Sequence, residues 1–183
     1  MSVSTPICNF GEKSYDFSLQ STENKIVRLN DVKGENGYLI MFICNHCPYV
    51  QAVINFIADD AKYLESIGIK SVAIMSNDTK SYPEDSFENM IKFAKEYNFS
   101  FPYLYDKTQQ VAKKYSAVCT PDFFGYNKNS ELQYRGRILE AKKLKPVHSG
   151  ETELRKAMRL IADTGKGPQE QFPSMGCSIK WFK

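Results

Sequence analysis

Tyr38-Leu39-Ile40-Met41-Phe42-Ile43-Cys44-Asn45-His46-Cys47-Pro48-Tyr49-Val50 decides how the rest of the chain is read. The run from Tyr38 to Cys44 is apolar throughout and follows the turn-forming Lys33-Gly34-Glu35-Asn36-Gly37. A short continuous run bounded by turn residues fits a strand buried on both faces. From Pro48 the period changes. Val50, Val53, Ile54, Ile57, Ala61, Leu64 and Ile67 recur at three- and four-residue spacing, on one face of a long helix. Cys44 therefore ends a buried strand and Cys47 opens a helix. A thiolate there meets unpaired backbone N–H groups and the positive end of the helix dipole. This placement predicts that the Cys44 pKa falls below its free value, with His46 adding to the effect when protonated. Two intervening residues bring the sulfurs within bonding reach, so Cys47 can resolve a mixed disulfide formed at Cys44. Pro48 suits the first helical turn.

Working outward, Gly68 is a stop signal and residues 69–75 form the next strand. A second helix begins at Pro83 with Phe87, Met90, Ile91, Ala94 and Tyr97 facing inward, and a short third spans 108–115. Residues 122–126 and 131–135 flank the polar Asn127-Lys128-Asn129-Ser130 as an antiparallel hairpin. A last helix over 151–163 buries Leu154, Ala157, Met158 and Ile161. Residues 1–36 read as an N-terminal β extension with a turn at Asn24-Lys25, and 164–183 as a tail packing back through Trp181 and Phe182. The expectation is an α/β fold over residues 1–183 as a single domain, a central mixed β-sheet flanked by helices.

Composition narrows the class. With 42% hydrophobic and 25% charged residues in 183, the chain matches a soluble globular protein rather than a disordered one. A net charge of +3 is too small for a nucleic-acid footprint, and no run approaches the roughly 20 apolar residues of a membrane span. Neither nucleic acid nor membrane is expected as a partner. The N-terminus has no basic and apolar leader pattern, and five cysteines, an odd number, do not make the even set of a secreted scaffold. Both readings favour a reducing cytoplasm.

Chemistry concentrates in the cysteines. Cys44 and Cys47 read as a redox pair; half of a zinc or iron–sulfur site is the alternative, but a second Cys-x-x-Cys is missing. Cys119-Thr120-Pro121-Asp122-Phe123 reads by itself as a turn ahead of an edge strand. Cys8 is a bystander and His148 a surface loop residue.

Taken together, CNHCPYV (44–50), YPEDS (82–86), FPYL (101–104), CTPDFF (119–124), YRGR (134–137) and PSMGCSIKW (173–181) resemble a thioredoxin-like, peroxiredoxin-related family, relatives of alkyl hydroperoxide reductases and thiol-specific antioxidants. The resemblance implies a thioredoxin-like fold in which Thr120-Pro121 is a cis-proline step facing Cys44 and Cys47, with Asn45, His46, Pro48 and Cys119 beside them. It implies that Cys119 lies close to Cys44, where it is either a further redox thiol or, by residue type, a small buried hydrophobe. Cys177 is either an extra resolving thiol or one residue of a docking tail. The chain departs from the peroxiredoxin pattern, in which a Pro and a Thr stand seven and three residues before the peroxidatic cysteine. Those places hold Ile40 and Cys44 counted from Cys47, and Gly37 and Met41 counted from Cys44. Peroxiredoxins also need an arginine; Arg135 or Arg137 could stabilise a thiolate, although a solvated strand edge also accounts for them.

The function expected is thiol–disulfide exchange. Cys44 attacks a protein or small-molecule disulfide and Cys47 resolves it. No glycine loop suggests a nucleotide cofactor, and none is expected; electrons return from a thioredoxin-type protein or a small thiol. The first alternative is a thiol peroxidase using Cys44 or Cys47. A metal-binding module built from the cysteines and His46 is the weaker one.

Overall fold

The computed structural model describes residues 2–147 and 150–183; His148 lies outside the described residues. Three short strands come first: β1 (Ser2–Ser4), β2 (Ser18–Ser21) and β3 (Ile26–Arg28). The apolar run forms β4 (Gly37–Phe42), followed by α1 (Pro48–Gln51), α2 (Ile54–Ser66) and β5 (Ile69–Met75). Then come α3 (Phe87–Glu96), β6 (Tyr103–Tyr105), α4 (Gln110–Lys114), β7 (Cys119–Thr120), β8 (Asp122–Asn127) and β9 (Leu132–Tyr134). The C-terminal part adds β10 (Ala141–Lys142), β11 (Lys145–Pro146), α5 (Glu153–Thr164) and β12 (Met175–Ser178).

Seven strands form one mixed sheet in the order β3-β2-β6-β5-β4-β8-β9, with β4, β5 and β6 parallel. Side chains alternate across β4, so its run of apolar residues serves two cores. Leu39 and Met41 face a core with Val50, Ile54, Ile57, Phe93 and Met158 from the helices. Tyr38, Ile40 and Phe42 face Phe17, Leu29, Val32, Val111 and Tyr115. Both faces are covered, which is why the run shows no period-2 polarity.

The expected hairpins are present. Asn24 takes φ +60° between β2 and β3, and Asn127 closes the β8–β9 turn by accepting from the Asn129 and Glu131 N–H groups at 3.0 Å each. The last helix starts one residue after Thr152, whose Oγ1 accepts from Arg155 N–H, and ends at Gly165 with φ +75°.

Several expectations are corrected. The long helix is broken: Val53 leaves helical angles (φ −122°, ψ 3°) and its N–H bonds to Val50 O, a tightened turn. The β-branched pair Val53-Ile54 weakens the helix there, yet Val50, Val53 and Ile54 all stay buried. Pro83 opens a 3-10 turn, and α3 starts after Ser86, whose Oγ caps Asn89 N–H. Phe93 faces the core, while Ile91 is 37% exposed. β6, β1 and β12 had no sequence signal, each being too short to show a period.

β12 places the tail. It runs antiparallel between β1 and β7, with Cys177 opposite Ser2 on one side and Thr120 on the other. No helix among the described residues is long and apolar enough to cross a membrane.

Candidate active site

β4 carries the chain into the interior and α1 carries it out, and Cys44-Asn45-His46-Cys47 is the bend between them. The helix begins where expected, with Cys47 as its N-cap and Pro48 in its first turn. Thr120-Pro121, between β7 and β8, is a cis peptide. Thr120 touches both sulfurs: its Oγ1 lies 3.3 Å from Cys44 Sγ, and its carbonyl accepts from the Cys47 thiol at 3.1 Å.

The bend is held from below by Asp85, a fully buried acid. Its Oδ1 accepts from the backbone N–H groups of Asn45 (2.8 Å) and His46 (3.2 Å). Its Oδ2 lies 2.7 Å from His46 Nδ1 and accepts from Asn77 Nδ2 at 2.8 Å. Burial works against the Asp85 charge, but the His46 and Asn77 donors outweigh it and hold the carboxyl below its usual range. Asp85 in turn raises the His46 pKa, chiefly through that hydrogen bond. The outcome is a hydrogen-bonded His46–Asp85 pair under the cysteine loop, an ion pair when His46 is protonated, with Tyr82 stacked on the imidazole at 5.6 Å. Asn45 is fixed separately, donating to Glu84 O and accepting from the Tyr103 hydroxyl at 3.0 Å.

The charge order of the thiols reverses the expectation. Cys47 is pushed down to about 5, first by the hydrogen bond from the Cys44 thiol, then by Thr120 and by the backbone N–H and thiol of Cys177. Cys44 is raised, first by that same bond to Cys47, then by burial and by the negative Asp85. The two thiols titrate as a pair, and the shifts favour the first charge on Cys47. The helix start belongs to Cys47 and the acid sits under Cys44, so both features favour the same order.

Other expected residues divide. Cys119 is fully buried, its thiol contacts Pro121 O, and burial pushes its pKa far up; it is a core thiol. The third sulfur at the pair is that of Cys177. Arg135 and Arg137 are corrected: neither is a solvated edge residue, and neither guanidinium is spent on a thiolate. Arg135 is buried, forks onto Asp122 at 3.3 and 3.0 Å and lies over the Phe124 ring. Arg137 forks onto Glu153 and lies over Phe172. Cys44 Sγ, His46 and Asp85 have atoms within 4.8 Å of one another. Each Asp85 oxygen there already takes two N–H contacts, which accounts for the cluster as a hydrogen-bonded ion pair. An apolar cavity of about 250 Å³, lined by Tyr49, Val53, Pro121, Leu139 and Met175 among others, opens beside the site.

Asp85, Asn77, Tyr82 and Tyr103 were not anticipated as site residues. The signal for Tyr82, Asp85 and Tyr103 was present in YPEDS and FPYL, short polar-aromatic clusters that no element required, whereas Asn77 lies in neither.

Comparison with known proteins gives the fold and the family. Thiol-disulfide oxidoreductase ResA of Bacillus subtilis (strain 168) is 25% identical over 122 residues, 67% of this chain; the match spans 64% of the relative's length. The crystal structure of an uncharacterized conserved protein from Geobacillus kaustophilus is 40% identical with a TM-score of 0.94, covering 100% of this chain and 97% of that one. The thioredoxin domain of a thiol-disulfide oxidoreductase from Bacteroides vulgatus has a TM-score of 0.58 at 15% identity, covering 69% and 86% of the two chains. The fold is thus thioredoxin-like. The AhpC/TSA family profile matches residues 10–140, a span that takes in both cysteines, Asp85 and Thr120-Pro121, and the chain belongs to the AhpC/TSA family.

Proposed function

We propose that the protein is a thiol–disulfide oxidoreductase whose redox pair is Cys44 and Cys47. The observation that carries this reading is the seating of both sulfurs on Thr120, one on its hydroxyl and one on its carbonyl. The name of the Bacillus relative points the same way.

Cys47, whose pKa is pushed down, gives up the proton it donates to Thr120 O, and its thiolate attacks a substrate disulfide. A bond forms from Cys47 to one substrate sulfur, and the other sulfur leaves as a thiolate. The main cause keeping Cys44 protonated is its bond to the Cys47 thiolate. Once Cys47 is in a mixed disulfide that cause is gone, the Cys44 pKa falls, and Cys44 loses its proton. Its thiolate attacks Cys47, forming Cys44–Cys47 and expelling the second substrate sulfur, which takes up a proton. The substrate is reduced by two electrons and the pair is oxidised by two. The cavity beside Pro121 would take an apolar side chain of the substrate. A small thiol or thioredoxin-type protein returns the electrons. The odd count of cysteines supports a reducing cytoplasm as the compartment; recovery in an oxidising fraction would count against it.

Single-turnover stopped-flow tests this reading, mixing reduced protein separately with a protein disulfide and with hydrogen peroxide. Rapid exchange ending in Cys44–Cys47 supports it. A peroxidase is the second reading, favoured by the depressed pKa of Cys47 ahead of Pro48 at a helix start. Against it, Cys44 stands where the peroxiredoxin threonine would, and both arginines are engaged by carboxylates. Fast peroxide consumption with a sulfenic acid at Cys47 would replace the first reading by the second.

A further inference from the structure

Both sulfurs of the pair are inaccessible, Cys44 being 1% and Cys47 0% exposed, whereas Cys177 is only partly buried. β12 lies along the strand that holds them. It pairs with β7, the backbone edge next to the sulfurs, and puts Cys177 opposite Thr120. Gly176 makes the approach close: a Cβ there would lie 2.0 Å from the Thr120 carbonyl oxygen. Ser174 Oγ donates to Pro121 O at 2.8 Å, and Ile179 N–H donates to Val118 O at 3.2 Å. Between these two anchors Cys177 pairs with Thr120, whose carbonyl oxygen lies 3.1 Å from the Cys47 sulfur. The tail occupies the edge that an extended substrate peptide would use, and it brings a thiol to the place where the substrate sulfur would sit. Cys177 lies beyond the residues that the family profile matches.

We propose that Cys177 is a third redox thiol, which carries the disulfide from the buried pair to the surface by attacking Cys47. The inference rests on the disulfide exchange proposed above. Cys177 gives up its proton and its thiolate attacks the Cys47 sulfur of Cys44–Cys47. The Cys47–Cys177 bond forms as the Cys44–Cys47 bond breaks, and Cys44 leaves as a thiolate that takes up a proton. One disulfide is exchanged for another, so no oxidant is consumed. An external thiol then attacks the more accessible Cys177 sulfur, and a second thiol releases it.

Oxidised glutathione added in one equivalent to the fully reduced protein, followed by acid quench and disulfide mapping, tests the relay. Cys47–Cys177 is expected in the wild type beside Cys44–Cys47. In Cys44→Ser it is expected as the end product, with glutathione released. In Cys177→Ser the expected product is Cys44–Cys47 alone, reduced by dithiothreitol about tenfold more slowly than the wild-type mixture. Gly176→Ala keeps every thiol but pushes β12 off Thr120, and should cut the yield of Cys47–Cys177. A Cys44→Ser protein that stops at a Cys47–glutathione adduct, while Cys177→Ser still closes Cys44–Cys47, would overturn the relay and leave the exchange reading standing. An unchanged Cys47–Cys177 yield in Gly176→Ala would also overturn the strand's role in it. If neither variant nor the wild type forms any disulfide at Cys47, the exchange reading itself fails and the relay with it.

Discussion

Which of two cysteines carries the charge depends first on the bond between them and then on residues far from both in sequence. Cys47 gains from Cys44, Thr120 and Cys177, and Cys44 loses from Asp85. A thiolate absorbance at 240 nm should therefore titrate near pH 5 and vanish in Cys47→Ser. Since the Cys44 thiol is the largest contributor, Cys44→Ala should move the midpoint up by about one pH unit or more. An unmoved midpoint would place the charge elsewhere. Asp85 allows a second prediction. Replacing it by alanine strips the buried partner from His46, Asn77 and two backbone N–H groups, so urea unfolding should show a loss of about 3 kcal/mol. The His46–Asp85 pair also fixes a pH dependence. The His46 pKa is raised on folding, so its contribution is complete below about 6.5, the unfolded value, and is lost as pH rises through the folded one. The Asp85 pKa is lowered, so its contribution is lost only in acid. Wild-type stability should fall relative to His46→Gln as pH rises above neutrality; parallel curves would show that the pair contributes nothing. The pair of cysteines was legible because two thiols at a strand–helix junction form a local pattern. Their ionisation order was not, because Asp85 and Cys177 meet them only through the fold.

At the level of elements, long apolar runs and strong turns were readable and short pieces were not. β4 declares itself by six consecutive buried residues, and β5 by seven of which Lys70 alone is exposed. β6 has three residues and β12 four, and each is a strand only because a neighbour supplies its hydrogen bonds. α2 hides a further contact. Asp60 falls on its inner face between Ile57 and Leu64, 1% exposed, a position that apolar periodicity cannot explain. Its Oδ1 accepts from Arg155 Nε at 2.7 Å, and its Oδ2 accepts from the Thr152 hydroxyl that also caps α5. The acid ties α2 to the first turn of α5, a partnership spanning most of the chain. Asp60→Ala should cost about 1–3 kcal/mol by leaving the Thr152 and Arg155 donors without it. Amide exchange should rise first in the initial turn of α5 rather than in β4. Equal protection there in both proteins would mean the clamp does not hold the helix start.

The molecule as a whole joins its two ends over the pair of thiols. β1 and β12 pair with each other, β12 pairs with β7, and Thr5 and Ser174 exchange backbone and hydroxyl hydrogen bonds. Further along, Lys180 N–H donates to Asn77 Oδ1, and Asn77 donates to Asp85, so the tail and the cysteine loop share one network. The tail packs back, but not through Trp181 and Phe182 as expected: these stay 38% and 47% exposed, and Ile179 and β12 hold it instead. The sheet edge it occupies gave no signal, since β7 is two residues long. This closure separates reactivity from access. At pH 7 a thiol with a pKa near 5 is almost wholly thiolate, so an open Cys47 would be alkylated by iodoacetamide much faster than an ordinary cysteine. A covered one reacts only when β12 opens, at a rate set by that local equilibrium. Native Cys47 should therefore be alkylated more slowly than the same cysteine in the urea-unfolded chain, despite its larger thiolate fraction. Gly176→Ala, which sets a Cβ against the Thr120 carbonyl, should speed the native reaction by about tenfold or more. Native alkylation faster than in the unfolded chain, and equal in Gly176→Ala, would show that the edge of β7 stands open and that a substrate meets the thiols without displacing the tail.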